Sequence, residues 1–259
     1  MSALLAFSDL EVSLGGREVV RGVTAAFDGP GLVAVIGPNG AGKTTLLKAL
    51  VGLVPYRGAI SVMGGAVEKL DARERALRLA YLPQGHVYHW PLPARDIVAL
   101  GRYARGARDP ARLPAADAQA VDAALAATGA MQFADRPVTE LSGGERARVA
   151  LARVLAAETP IALADEPIAS LDPFYQLSIM TLLKSAAAGG KLIIVVLHDL
   201  ALAWRFADRI VMMRDGAIVA DGPPRAALTD ERLRAAFGVD AVFIEHAGAT
   251  LLARLDVAT

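Results

Sequence analysis

Gly37-Pro38-Asn39-Gly40-Ala41-Gly42-Lys43-Thr44-Thr45 follows the apolar run Leu32 to Ile36. It fits G-x-x-x-x-G-K-[ST], between a strand and a helix that opens at about Lys43. Such a stretch binds anions. The glycines let successive backbone N–H groups turn inward as a nest. The helix start adds unpaired donors and a partial positive charge. Lys43 supplies a full charge for β- and γ-phosphates, and the Thr44 hydroxyl is a hard ligand suited to Mg²⁺. The implied ligand is a nucleoside triphosphate.

Further chemistry-bearing residues lie downstream. Ile161 to Ala164 is an apolar run that ends in Asp165 and Glu166. A parallel strand ending this way sets its carboxylates at the sheet's C-terminal edge, where ligands of open α/β sheets sit. Asp165 suits a cation, directly or through water, and Glu166 suits orienting or activating a water. His198 ends another apolar run, Leu192 to Leu197, and belongs to the same edge. Leu141-Ser142-Gly143-Gly144-Glu145 precedes an apolar helix. Ser142 and Glu145 have capping-box spacing, and the glycines bare a helix N-terminus as a second phosphate-binding surface. One chain cannot easily wrap both surfaces around a single γ-phosphate, a first sign of a dimer. Asp172 before Pro173 reads as a helix cap with proline at the first helical position. Gln84 reads as a loop residue after a strand.

These residues need a scaffold. Runs over 4–28, broken at Gly15-Gly16, predict a hairpin in an antiparallel edge sheet. A helix is expected over 43–52, a strand over 58–63, a charged helix over 71–79 and a strand over 79–82. Residues 94–132 are rich in Ala and Arg with helical spacing. A helical insertion is expected over 86–156. Strands at 161–164, 192–197 and 210–213 alternate with helices at 173–187 and 200–207, and a last helix is expected near 230–237. The pattern predicts a parallel sheet covered on both faces. The fold class is α/β: a P-loop NTPase core over 1–85 and 157–259, with an N-terminal antiparallel sheet and an inserted helical subdomain. The segment 240–259 has no placement.

At 259 residues the chain is long enough for a large core. Its 27 basic and 27 acidic residues balance, so no overall field argues for nucleic acid. Cysteine is absent, which removes disulfides and thiolate metal sites and is compatible with the cytoplasm. No apolar run approaches a membrane span and no signal-peptide pattern opens the chain. A soluble or peripheral protein is expected.

GPNGAGKTT, YLPQ, LSGGE, IALADEP, ASLD and VVLHD occur in this order across residues 37–199. The ordered set resembles the ATP-binding subunits of ABC transporters. That resemblance implies an ATPase using ATP and Mg²⁺, working as a pair of copies beside integral membrane permease subunits. It places the chain peripherally on the cytoplasmic face of the inner membrane, served indirectly by a periplasmic substrate-binding protein. It assigns Gln84 to sensing Mg²⁺ and the membrane partner, Asp172 (in Ser170-Leu171-Asp172) to a loop crossing between subunits, and His198 to the γ-phosphate. The metal set is then Thr44, Gln84 and Asp165, and the signature Leu141 to Glu145 acts on the other copy's ATP.

The chain departs from that family where an aromatic residue usually stacks on adenine. Leu14 stands there and offers no π-face, which predicts weak discrimination between ATP and GTP. The stretch from Leu82 through Trp90, with Leu100-Gly101-Arg102-Tyr103, resembles importer subunits for siderophores, haem and cobalamin. His86 and His89, three apart, lack further ligands at metal spacing, and with Trp90 they are expected to dock on the membrane partner. A soluble assembly scaffold and an export cassette are the alternatives.

Overall fold

The computed structural model describes residues 3–85, 87–169, 171–246 and 249–258. A hairpin of β1 (Leu5–Leu14) and β2 (Arg17–Phe27) turns at Gly15-Gly16. β3 (Gly31–Ile36) then runs into the phosphate loop and α1 (Lys43–Leu50). The helix ends two residues before Gly52, with Val51 as its C-cap. β4 (Arg57–Val62), β5 (Gly65–Ala66), α2 (Ala72–Arg78) and β6 (Leu79–Leu82) follow. Three helices come next: α3 (Ala94–Ala99), α4 (Ala115–Ala127) and α5 (Gly143–Ala156). The alternation resumes with β7 (Ile161–Asp165), α6 (Pro173–Ala188), β8 (Leu192–Val196), α7 (Leu200–Phe206) and β9 (Arg209–Arg214). The tail contains β10 (Ala217–Gly222), α8 (Pro224–Ala227), α9 (Asp230–Phe237), β11 (Val239–His246) and β12 (Ala249–Val257).

The main sheet has the order β10-β9-β3-β8-β7-β6. All its pairings are parallel except β9 with β10. Successive residues of each parallel strand enter opposite cores. Ile193 and Val195 meet α5, α6 and α7 on one face, and Leu192, Ile194 and Val196 meet α1 and the hairpin on the other. Double-sided burial is why Leu192 to Val196 is an unbroken apolar run. Each such side chain contributes about 2 kcal/mol by leaving water.

The antiparallel strands do not extend an edge of this sheet. They form a separate sheet, β2-β1-β4-β5, that shares a core with one of its faces. Leu5, Phe7, Leu10 and Val12 point into that core, so one face of the parallel sheet is covered by α1 and strands rather than helices alone. A third cluster gathers Ile97, Val98, Val121, Leu125 and Val149 from α3, α4 and α5, with Phe133 from the 3-10 turn after α4. Buried Arg102 ties this helical region to the segment that leads into β7: its guanidinium donates to Asp117 (2.7 Å), the Ala156 carbonyl (2.8 Å) and Glu158 (2.7 Å).

The unplaced tail is a hairpin. β11 and β12 pair antiparallel and lie against α7 and α9. The Trp204 indole N–H donates to the Thr250 carbonyl (2.8 Å), and its ring lies 4.8 Å from that of Phe243. Among the described residues, no helix is long and apolar enough to cross a membrane.

Candidate nucleotide site

Register brings the sequence-predicted residues together. β3 neighbours β8, β8 neighbours β7 and β7 neighbours β6, with Asp165 level with Val196 and Leu82 level with Ala164. Gly37, His198, Asp165 and Gln84 therefore leave the sheet at one edge. A cavity of about 610 Å³ opens there, lined by Asn39 to Thr45, Gln84, Glu166, His198 and Val19.

The phosphate loop is held by close backbone contact. A β-carbon on Gly37, at φ 151°, would sit 2.2 Å from the Met213 carbonyl oxygen. One on Gly42, at φ 98°, would sit 2.8 Å from the Val19 carbonyl oxygen. Gly216 fastens the same corner: its N–H donates to the Ala41 carbonyl and its carbonyl accepts from the Arg21 N–H. The Lys43 ammonium donates to the Gly37 and Pro38 carbonyls, at 2.7 and 3.0 Å, along the inner rim of the loop. Burial lowers its pKa, and the Glu166 and Asp165 charges oppose that shift.

Asp165 is fully buried. Neither carboxylate oxygen has a hydrogen-bond partner among the described residues. Burial raises its pKa, with Glu166 adding and the Thr44 hydroxyl, Lys48 and Lys43 opposing. The buried Tyr81 hydroxyl likewise has no well-formed hydrogen bond among the described residues, and burial, followed by the charge and proximity of Asp165, pushes its pKa far up. An unpaired buried carboxylate is costly, and a divalent cation is what such a site fits. Thr44, Asp165 and Gln84 present the hard oxygen donors that Mg²⁺ takes, with room for water.

Glu166 adopts φ 52°, a left-handed conformation that is strained for a residue with a side chain. The turn aims its carboxylate at His198, with Nε2 and Oε1 2.6 Å apart. Pro167 follows Glu166 and disfavours the right-handed helical region at that position.

Leu141 to Glu145 lies outside this cavity's lining. Ser142 caps α5 as a capping box: its Oγ accepts from the Glu145 N–H (3.3 Å), and Glu145 accepts from the Ser142 N–H (2.7 Å). That N–H foremost lowers the pKa of Glu145. Ser142 and Gly143 are exposed. Asp172 caps α6, accepting from the Tyr175 N–H at 3.1 Å, with Pro173 at the first helical position. Ser170 and His86 lie outside the described residues, and Trp90 is 74 % exposed. Leu14 is 42 % exposed and does not line the cavity.

Sequence reasoning missed Val19. It is the extra residue where β1 and β2 shift register between Val12 and Ser13, and the bulge brings it to the cavity. A valine in a strand carries no signal of that. Tyr81 and the buried Arg148 of α5 were also missed. Arg148 stands one turn beyond Gly144 in a helix whose next residues are apolar, and that isolation was legible.

Residues 20–169 match the ABC transporter family. The chain is 46 % identical to the hemin import ATP-binding protein HmuV of Streptomyces coelicolor, over 85 % of this chain and 78 % of that protein. It is 40 % identical to the cobalamin import ATP-binding protein BtuD of Halobacterium salinarum, over 88 % of this chain and 57 % of that protein. A dimeric ATP-binding cassette in a post-hydrolysis state, bound to ADP and Pi, superposes with a TM-score of 0.76 at 26 % identity, covering 85 % of this chain and 99 % of that one. The phosphate loop, the carboxylates beyond β7 and the histidine beyond β8 stand at one sheet edge, and the family match spans more than half of the sequence. The chain belongs to the ABC transporter family and is one of its ATP-binding ATPases.

Proposed function

We propose that this ATPase is the motor of a membrane importer for haem or a comparable large metal chelate, cobalamin and siderophores included. The observation that supports this most directly is the 46 % identity to a hemin import subunit across most of both chains. In this reading two copies pair head to tail. Each ATP lies between the phosphate loop of one copy, Gly37 to Thr45, and Leu141 to Glu145 of the other. The exposed Ser142 and Gly143, standing outside their own chain's cavity, are free for that role.

Lys43 exchanges the Gly37 and Pro38 carbonyls for β- and γ-phosphate oxygens. Thr44, Asp165 and Gln84 hold Mg²⁺, which when bound neutralises charge on the phosphates. Glu166 orients the attacking water and accepts its proton. His198, in contact with that carboxylate, holds it in place and meets the γ-phosphate. Asp172 sits at the crossing between the two copies.

The helical subdomain over 86–156 carries the motion outward. Exposed Val87, Trp90, Leu92, Leu100 and Tyr103 offer the permease an apolar docking surface. The assembly sits on the cytoplasmic face of the inner membrane, the periplasmic substrate-binding protein delivers cargo to the permease, and nucleic acid has no part. Glu166→Gln tests the site. The variant retains ATP binding and accumulates as an ATP-bound pair, measured by size-exclusion chromatography. Hydrolysis at the wild-type rate would remove Glu166 from its role.

A further inference from the structure

Arg148 is a buried cation that none of these roles uses. It is 5 % exposed, and it pairs with no carboxylate among the described residues. Its guanidinium packs over two rings instead, 4.7 Å from the centre of Phe133 and 3.9 Å from that of Tyr175. One Nη donates to the Gly129 carbonyl at 2.9 Å, while Nε is buried without a partner among the described residues. Phe133 and Gly129 belong to the helical region, and Tyr175 belongs to α6 against the parallel sheet. A planar cation that packs over two rings while its Nη donates a hydrogen bond is a contact that lysine does not match in shape.

The ends of this contact matter. Arg148 lies three and four residues beyond Glu145 and Gly144, on the same side of α5 as its first turn. On the other side, the backbone N–H of Tyr175 donates to the Asp172 carboxylate. A continuous chain of contacts thus runs from the first turn of α5 through Arg148 and Tyr175 to Asp172. Phe174, largely exposed, packs edge-on against the Tyr175 ring at 5.2 Å.

We propose that Arg148 is a positioning residue that locks Leu141 to Glu145 and Asp172 into one rigid unit, so that both reach the second copy together. This rests on the shared-pocket reading above. Because Arg148 does not line the phosphate-loop cavity, it acts on pairing and leaves the first contact with ATP alone.

The test measures two quantities in a Glu166→Gln background: nucleotide affinity of the dilute single chain and the concentration at which ATP drives pairing. Arg148→Lys should leave the first unchanged and weaken the second by about tenfold, the order of a desolvated cation–π contact. Tyr175→Leu should do the same, whereas Tyr175→Phe keeps the ring and restores pairing. Unchanged pairing in Arg148→Lys would overturn the proposal. So would a parallel loss of affinity and pairing, which marks a residue that only supports the fold. Failure of Glu166→Gln alone to pair would instead overturn the shared pocket, and this inference with it.

Discussion

Asp165 shows how a single residue sets chemistry against stability. Its carboxylate is buried and unpaired, and burial raises its pKa. The folded chain therefore holds that proton more tightly than the unfolded chain does. The penalty is absent below the ordinary carboxylate range and grows as pH rises through the raised value. At neutral pH, Asp165→Asn removes the charge. The melting temperature of the nucleotide-free protein should rise by roughly 2–4 °C for each kcal/mol recovered, while phosphate release is lost. A lower melting temperature would show that the carboxylate has a partner in solution. Leu14 makes a second prediction at this scale. Without a ring there, competition binding should place ATP and GTP within about tenfold of each other, and Leu14→Tyr should strengthen ATP by part of the ~1–3 kcal/mol that stacking provides. A hundredfold preference for ATP in the unaltered chain, about 2.7 kcal/mol, would contradict this.

At the scale of elements, the loop between β3 and α1 leaves no space for a side chain at Gly37, because the Met213 carbonyl stands where its β-carbon would go. Gly37→Ala should abolish nucleotide binding by calorimetry while the far-ultraviolet spectrum stays close to that of the parent. Removing the Ser142 cap is milder: Ser142→Ala should cost about 1 kcal/mol in denaturant unfolding. Elements whose cause is local were legible in advance. Asp172-Pro173 and Ser142 with Glu145 announce helix starts by their own chemistry. Leu192 to Val196 announces a doubly buried strand by having no polar residue. β10 and the terminal hairpin were not legible. Polar residues interrupt their apolar pattern, and their placement depends on β9 and on Trp204, far away in sequence. The site followed the same division. Lys43 begins an element, Asp165 ends one, and Gly37 and His198 stand just beyond a strand, so each could be placed on an edge. Val19 reaches the cavity through a register shift that its neighbours do not foretell.

For the whole molecule, the decisive joint is between the helical region and the sheets. Arg102 holds the helical side of it to the segment before β7 with two buried contacts and one to the half-exposed Glu158, and removing one partner of such an ionic cluster strands the others. Arg102→Ala should destabilise the chain by about 3 kcal/mol in urea unfolding, well beyond the ~1 kcal/mol of an exposed pair. A loss no larger than that would mean that water already reaches the cluster.

The clamp of Trp204 on the terminal hairpin has an optical consequence. The chain has two tryptophans. One is hydrogen-bonded to β12 and packed at a tilt against the Phe243 ring of β11, and the other, Trp90, faces water. Their emission should therefore differ in colour, so that a red shift of the bluer component reports an unseated hairpin. A blue shift of the redder one reports that something has covered the loop after β6.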